Sequence, residues 1–172
     1  MSSWSGRRLV AGLIDLGVVA VFGGLLLLIF TGFQVGRQPA LSNLATHLVQ
    51  AALVAVAGTL ILACFEASPL EATPGKLACG LRLRRDSDSG HLGLGRAIVR
   101  NLFKLGLPVP LAYLAALAAY DGGGWPAWVG VGAAAVVAAS YLAGVLLGDG
   151  RPVYDQLAGA VVIRTAPGRR YA

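Results

Sequence analysis

Asp15 places a carboxylate inside an apolar segment, residues 9–33, that carries no other charge. An ionisable side chain at the centre of a bilayer-spanning helix costs about 2.5–3.5 kcal/mol on insertion scales, so such residues are rare. They usually face a protein interior, a partner charge or a water-filled cavity, and they mark ion pathways and proton relays. The chemistry expected of Asp15 is therefore ion pairing or the binding of a proton or cation.

Arg8 lies directly before this segment, seven residues ahead of Asp15. Seven residues turn an α-helix through almost two revolutions and rise about 10 Å, so the two side chains face one direction but lie too far apart for easy contact. We expect each of them to pair with a residue on another segment.

Charged residues near the ends of the apolar segments are predicted to form one network with this pair. The predicted members are Arg8, Asp15, Glu66, Lys76, Arg96, Arg100 and Asp155. Two interpretations stay open. The network is a structural lock, in which loss of one partner costs about 3–5 kcal/mol, or it is a polar route in which proton or cation binding changes the pairing.

The composition defines the elements that must hold these residues. Of 172 residues, 56% are hydrophobic and only 13% are charged, which indicates a polytopic membrane protein. About 20 helical residues cross a bilayer. The predicted spans are residues 9–33, 48–65, 105–120 and 126–147. In an alternative with three spans, the third segment is re-entrant.

The distribution of Lys and Arg favours four spans with both termini in the cytoplasm, because short cytoplasmic loops carry the excess of positive charge. In that topology only Arg37 of the 14 basic residues lies on the opposite side. The net charge of +6 thus indicates topology and contact with anionic lipid headgroups, and not nucleic-acid binding.

Residues 66–104 form the longest polar stretch and are predicted to lie in the cytoplasm, as is the tail, residues 148–172. The alternation over 81–84 followed by the turn formers of 86–90 predicts a short hairpin, and strand 81–84 is also predicted to pair with 161–163. From residue 92 the period changes to that of an amphipathic interfacial helix. The residues predicted to contact lipid headgroups are Arg84, Arg85 and Lys104.

The fold class predicted from these features is an all-α membrane protein in a single domain, residues 1–172. It has four transmembrane helices and a small cytoplasmic subdomain made of the hairpin and the interfacial helix.

Four ordered motifs carry a family resemblance: Arg-Arg-Leu-Val-Ala-Gly-Leu-Ile-Asp at 7–15, Thr-Pro-Gly-Lys at 73–76, Arg-Ala at 96–97 and Asp-Gln-Leu-Ala-Gly at 155–159. The chain resembles the RDD family of bacterial membrane proteins. The resemblance implies that Arg8, Asp15 and Asp155 are the arginine and two aspartates of the family name. The chain departs from the family pattern at Tyr154, where many members have His, and at Ala160, where Thr is common.

The resemblance implies a multi-pass protein of the bacterial inner membrane, with transport as the commonest suggested role. We expect transport of a small solute or an ion, a proton or cation; the alternative is a non-catalytic accessory or scaffold subunit. Expected partners are anionic lipids and either further copies of the chain or a larger membrane complex. No enzyme activity, cofactor or metal site is expected, since the sequence offers no nucleophile constellation and no Cys/His cluster.

Overall fold

The computed structural model describes residues 3–34, 43–120, 124–146 and 151–164. Helices dominate this part of the chain, and two short strands complete it. In chain order the elements are α1 (Ser3–Gln34), α2 (Asn43–Ala67), α3 (Pro74–Ala78), β1 (Leu81–Arg85), α4 (Leu94–Asn101), a π-helical turn (Leu102–Gly106), α5 (Pro108–Tyr120), α6 (Gly124–Leu146), α7 (Val153–Leu157) and β2 (Ala160–Arg164).

Three helices are long and apolar enough to cross a membrane: Ser5–Phe33, Ala45–Ala67 and Leu94–Ala118. The fourth apolar helix, over Trp128–Gly144, is shorter. The first two agree with the predicted spans at 9–33 and 48–65. The third differs, because α4, the π-helical turn and α5 follow one another as a single candidate span instead of an interfacial helix followed by a span at 105–120.

Neighbouring long helices pack closely through small residues. An added Cβ on Gly23 would lie 3.0 Å from Val54, and one on Gly58 would lie 3.0 Å from Val19. The later residue of α1, Gly23, meets the earlier residue of α2, Val54, whereas Val19 meets Gly58. The two helices are therefore antiparallel. Small residues at such crossings let helix backbones approach, which is how helices associate when lipid offers no hydrophobic contrast.

The π-helical turn before α5 has a local cause. Leu107 N–H donates to Leu102 O, five residues back, at 2.8 Å, and Pro108 has no N–H to offer. The carbonyl of Phe103 therefore lacks its usual helical donor. The hydroxyl of Tyr141 on α6 donates to it instead, which ties α6 to the turn.

One end of the helix bundle is covered by a small polar cap, which we define as residues 68–93 and 151–164. Its sheet is antiparallel and pairs Leu81 with Arg164 and Arg85 with Ala160. The predicted pairing of 81–84 with 161–163 is therefore confirmed. The predicted local hairpin is wrong, because the partner strand of β1 comes from the tail and not from the residues after the 86–90 turn.

Apolar side chains hold the polar cap against the bundle. Leu81 and Leu83 alternate with Arg82 and Arg84 along β1, so the leucines point inward, as period-two patterning predicts. The buried cluster that they join contains Ala11, Ala63, Leu81, Leu83, Leu92, Ala97, Ala158, Ala160 and Val162. It combines α1, α2, α4, α7 and both strands into one core.

Four helices, α1, α2, α4 and α6, reach the polar cap. The first turns of α1 and the last turn of α2 contact it through Arg8 and Glu66, and α4 does so through Arg100. At the end of α6, an added Cβ on Gly144 would lie only 2.7 Å from the Cα of Pro152. The cap is thus the place where charged residues from both halves of the sequence meet.

Candidate functional site

Asp15 is buried at the junction between α1 and α3, with 1% of its surface exposed. Its Oδ2 accepts a hydrogen bond of 2.7 Å from the Thr73 hydroxyl, and its Oδ1 accepts one of 2.9 Å from the Gly75 amide. Lys104 Nζ lies 3.5 Å from Oδ2. The carboxylate therefore caps the first turn of α3, where unpaired amides favour negative charge.

The contact between α1 and α3 requires a glycine. A Cβ on Gly75 would lie 2.1 Å from the Ala11 carbonyl oxygen and 2.8 Å from Oδ1 of Asp15. Only a residue without a side chain lets the backbone of α3 approach α1 this closely. Thr73, Pro74 and Gly75 thus act together: Pro74 begins the helix, Gly75 permits the approach, and Thr73 binds the carboxylate.

Glu66, at the end of α2, is fully buried and holds three donors. Its Oε1 accepts from Lys76 Nζ and from Arg100 Nη1, and its Oε2 accepts from Asn101 Nδ2 at 2.7 Å. Such charge-assisted bonds are stronger than neutral ones. They compensate a carboxylate that would otherwise be costly to bury.

Asp155, in α7, is also fully buried and joins distant parts of the chain. Its Oδ2 accepts from Arg8 Nη2 at 2.8 Å, and its Oδ1 accepts from Arg100 Nε at 2.6 Å. Because Arg100 also binds Glu66, one guanidinium bridges the two carboxylates. The fork-shaped donor group of arginine is suited to this, whereas a lysine has a single nitrogen.

Tyr154 covers the bridging arginine. The guanidinium carbon of Arg100 lies 5.2 Å from the centre of the Tyr154 ring, within cation–π distance. Tyr141 packs edge-on against the same ring at 5.0 Å. Burial raises the pKa of Tyr154 to about 12, although the positive charge of Arg100 opposes the shift, so this phenol stays neutral.

The basic side chains outnumber the carboxylates at this site. Within the described part of the chain, the carboxylates paired with Arg8, Lys76, Arg100 and Lys104 are those of Asp15, Glu66 and Asp155. Burial, together with the nearby positive charge of Arg100, lowers the pKa of Lys76 to about 8, while Glu66 opposes the shift. The ammonium group of Lys76 can therefore release its proton at a pH slightly above neutral.

A cleft of about 40 Å³ opens among these groups. Since about 10–15 Å³ suffices for one water, the cleft has room for a few water molecules or for one small ion. Its charged and phenolic wall consists of Arg8, Asp15, Lys76, Arg100, Lys104 and Tyr154. The arrangement can bind a small polar species and can respond to it by a change of ion pairing.

The structure brings together six of the seven residues predicted for the network. Arg8, Asp15, Glu66, Lys76, Arg100 and Asp155 lie on the cleft or contact a residue that does. Arg96 is exposed, and among the described residues it forms no ion pair with these carboxylates. It precedes Arg100 by four residues, but only Arg100 turns inward.

The residues predicted to contact lipid headgroups all lie near carboxylates of the protein. Arg84 Nη2 is 2.7 Å from Glu71, Arg85 Nη1 is 3.2 Å from Asp88, and Lys104 turns towards Asp15. Lys104 is 14% exposed in its side chain, so it faces the site more than its surroundings. Headgroup contact by these residues stays a prediction.

Sequence reasoning did not assign Thr73, Gly75, Asn101 or Tyr154 to the site. The Thr-Pro-Gly motif at 73–75 was a usable signal, because a proline and glycine after a hydroxyl residue mark a helix start. Asn101 has a weaker signal, an amide at the end of a helix that also carries two arginines. For Tyr154 the sequence offers no such signal, because its place in the site depends on the contact with Arg100.

A second, smaller polar cluster lies on α2 and α5 away from the cap. His47 Nδ1 is 3.0 Å from the Tyr113 hydroxyl and 3.2 Å from Gln50 Oε1. Over the described ranges, no three His, Cys, Asp or Glu side chains are grouped so that they could hold a metal ion.

Comparison with known proteins gives one match. The model described as RDD family matches residues 4–159. This interval covers most of the chain and includes Arg8, Asp15 and Asp155. No curated protein matches the chain, and no solved structure does.

Proposed function

The chain belongs to the RDD family, and we propose that it is a four-span protein of a bacterial inner membrane that transports a small solute or ion. A proton or a cation is the favoured transported species. The charge network around Asp15 is the gate on the cytoplasmic side.

The position of Asp15 is the observation that carries this proposal. Its carboxylate is almost inaccessible, yet it lies on the wall of a cleft with four basic side chains. Intramembrane carboxylates in such positions are typical of ion and proton pathways. A proton or cation bound at Asp15 would weaken its hold on Thr73, Gly75 and Lys104.

This change would pass to the rest of the network through α3. Gly75 and Lys76 are adjacent in α3, so a movement of the helix away from Asp15 also shifts the ammonium that binds Glu66. Glu66 shares Arg100 with Asp155, which in turn holds Arg8 on α1. Binding at one carboxylate thereby alters contacts to α1, α2, α4 and α7.

The topology of the proposal has support from the bundle. The apolar part of α6, Trp128–Gly144, is shorter than the three candidate spans, but α6 returns to the polar cap where α1 begins and α2 ends. Such an alternation fits four crossings. The cap is rich in arginine and lysine, so the positive-inside rule favours a cytoplasmic cap and two cytoplasmic termini.

Flux through proteoliposomes tests the proposal. The purified chain is expected to dissipate an imposed proton or cation gradient, and Asp15→Asn is expected to abolish the flux while the protein remains folded. Asp88→Asn is the matched control, because Asp88 undergoes the same chemical change while its side chain is 56% exposed and pairs only locally with Arg85. Absence of flux in the wild type under proton, Na⁺ and K⁺ gradients would contradict transport.

A second candidate function is an accessory or scaffold subunit of a larger membrane assembly. The hydrogen bonding of the carboxylates favours it, because Asp15, Glu66 and Asp155 each accept at least two hydrogen bonds. Fully bonded carboxylates suit a network whose role is to hold the helices in fixed positions. This function predicts a stable membrane partner after gentle detergent extraction. Recovery of the bare protein, with flux intact, would exclude it.

A further inference from the structure

The wall of the cleft is unbalanced in charge. Four basic side chains, Arg8, Lys76, Arg100 and Lys104, line it, whereas Asp15 is the one carboxylate on its wall. Both oxygens of Asp15 are already engaged by Thr73 and Gly75. Glu66 and Asp155 pair with three of these cations from behind the wall, so four positive charges meet three negative ones. The remaining net positive charge attracts an anion, and low-dielectric surroundings strengthen that attraction.

Two of these cations keep donors available. Among the described residues, Lys104 Nζ donates no hydrogen bond of ordinary geometry, and its nearest carboxylate oxygen is 3.5 Å away. Arg8 binds Asp155 through Nη2, which leaves the other nitrogens of its guanidinium without a bond inside the described part of the chain. Both side chains are mostly buried, with Lys104 14% and Arg8 8% exposed, and both line the cleft.

We propose that this cleft binds a phosphate group, with Arg8 and Lys104 as its principal donors and Lys76 and Arg100 as supporting charges. An arginine fork and a lysine point charge are the usual pair of groups that bind phosphate oxygens. The small volume admits the oxygens of one such group. The phosphate is either inorganic phosphate or the headgroup of a membrane lipid.

This site goes beyond the transport proposal and does not depend on it, because binding is measured without a gradient. The two proposals share the cleft, and a bound phosphate would offset the positive charge that otherwise disfavours a cation at Asp15. The first measurement titrates inorganic phosphate into the full chain in an uncharged detergent and follows heat by calorimetry, with chloride at matched ionic strength as reference. The second places the chain in phosphatidylcholine nanodiscs with or without phosphatidic acid and detects retained lipid by native mass spectrometry.

Two variants remove the site in different ways. Lys104→Gln deletes a donor and a charge, and Gly12→Val narrows the cleft while every charge remains. Gly12 lies on the cleft wall, and an added Cβ there meets no atom within 4 Å, so the fold accepts a side chain.

Each variant has a matched control. Arg164→Gln loses the same charge at an exposed position of β2, and Gly17→Val adds the same side chain to α1 at another position without neighbours.

The expected result is saturable binding of phosphate or retention of phosphatidic acid by the wild type. Lys104→Gln and Gly12→Val weaken it about tenfold or more, while both controls bind as the wild type does. Binding of inorganic phosphate identifies a soluble ligand, and retention of phosphatidic acid alone identifies a lipid headgroup. No binding in either measurement, or equal binding by Gly12→Val and wild type, would overturn the proposal.

Discussion

At the scale of single residues, the charge network depends on how each buried carboxylate is shared. Glu66 binds donors from α3 and α4, and Arg100 divides its nitrogens between Glu66 and Asp155. Removing one partner leaves the other charges buried without compensation. The free-energy cost of such an unpaired charge is larger than the stabilisation that the intact pair contributes. Lys76 is a member of this network whose pKa burial lowers.

Lys76 gives the protein a specific pH dependence. Its pKa is about 8 in the folded chain and 10.5 in a model peptide, so between these values the unfolded chain holds a proton that the folded chain has released. The free energy of unfolding therefore rises with pH from about 8, by at most about 1.4 kcal/mol per pH unit. The contribution is absent below pH 8 and complete above 10.5.

Denaturant unfolding in detergent between pH 7.5 and 10 measures this slope. Lys76→Met is expected to lose it, whereas Arg164→Met, which removes an exposed positive charge, keeps it. The range ends at pH 10 because Tyr154 has a pKa raised to about 12. Above the ordinary tyrosine pKa, the unfolded chain loses a proton that the folded chain keeps, so the free energy of unfolding falls with pH. Equal slopes for wild type and Lys76→Met would contradict the assignment.

The sequence predicted which charged residues would come together, but it did not predict the direction of every side chain. Asp15, Glu66 and Asp155 are conspicuous because a carboxylate at the end of, or inside, an apolar segment requires compensation. Arg96, Arg100 and Lys104 are four residues apart and look equivalent on a regular helix. The π-helical turn at Leu102–Gly106 changes the angular relation of Lys104 to the two arginines. Pro108 marks a local break in the helix, but the proline alone does not specify that the turn before it is π-helical.

At the scale of elements, the docking of α3 on α1 connects the cap to the membrane helices. The helix is only five residues long, too short to be stable alone, so its position depends on Asp15 and on the close approach at Gly75. The sequence predicted a turn or helix start here but not that it would pack against α1. That contact depends on a distance between two elements, which spacing along the chain does not encode.

Gly75→Ala is expected to undock α3. The added Cβ would overlap the Ala11 carbonyl oxygen at 2.1 Å, a backbone atom that cannot move aside, so we expect a loss of roughly 1–3 kcal/mol or more. Thermal unfolding in detergent measures it. Gly95→Ala in α4 is the matched control, because its Cβ meets nothing within 4 Å and the helix gains propensity. A Gly75→Ala protein as stable as Gly95→Ala would show that α3 is not held as described.

The two strands illustrate what pattern alone can provide. The alternation of leucine and arginine over 81–84 predicted the inward face of β1, and the β-branched run at 161–163 predicted its partner. The turn formers at 86–90 also suggested a nearby return strand, which does not form. Both strands are stabilised by burial of Leu81, Leu83 and Val162 against the bundle, and this long-range packing outweighs the local turn.

At the scale of the whole molecule, the charged groups gather at one end of the bundle and join the first helix to the tail. Arg8 and Asp155 are separated by 147 positions and bond directly. Reporter fusions to the two termini are expected to be protected from protease added outside intact cells. Degradation of either reporter before cell lysis would contradict the four-span topology with both termini in the cytoplasm.

The central claim is that a buried charge network holds the first helix and the tail together, and a double-mutant cycle on Arg8 and Asp155 tests it most directly. Unfolding of the wild type, Arg8→Gln, Asp155→Asn and the double variant is compared in one detergent. The structure predicts a favourable coupling of about 0.5–3 kcal/mol, because the two side chains share one hydrogen-bonded network with Arg100. Strictly additive effects of the two substitutions would contradict it.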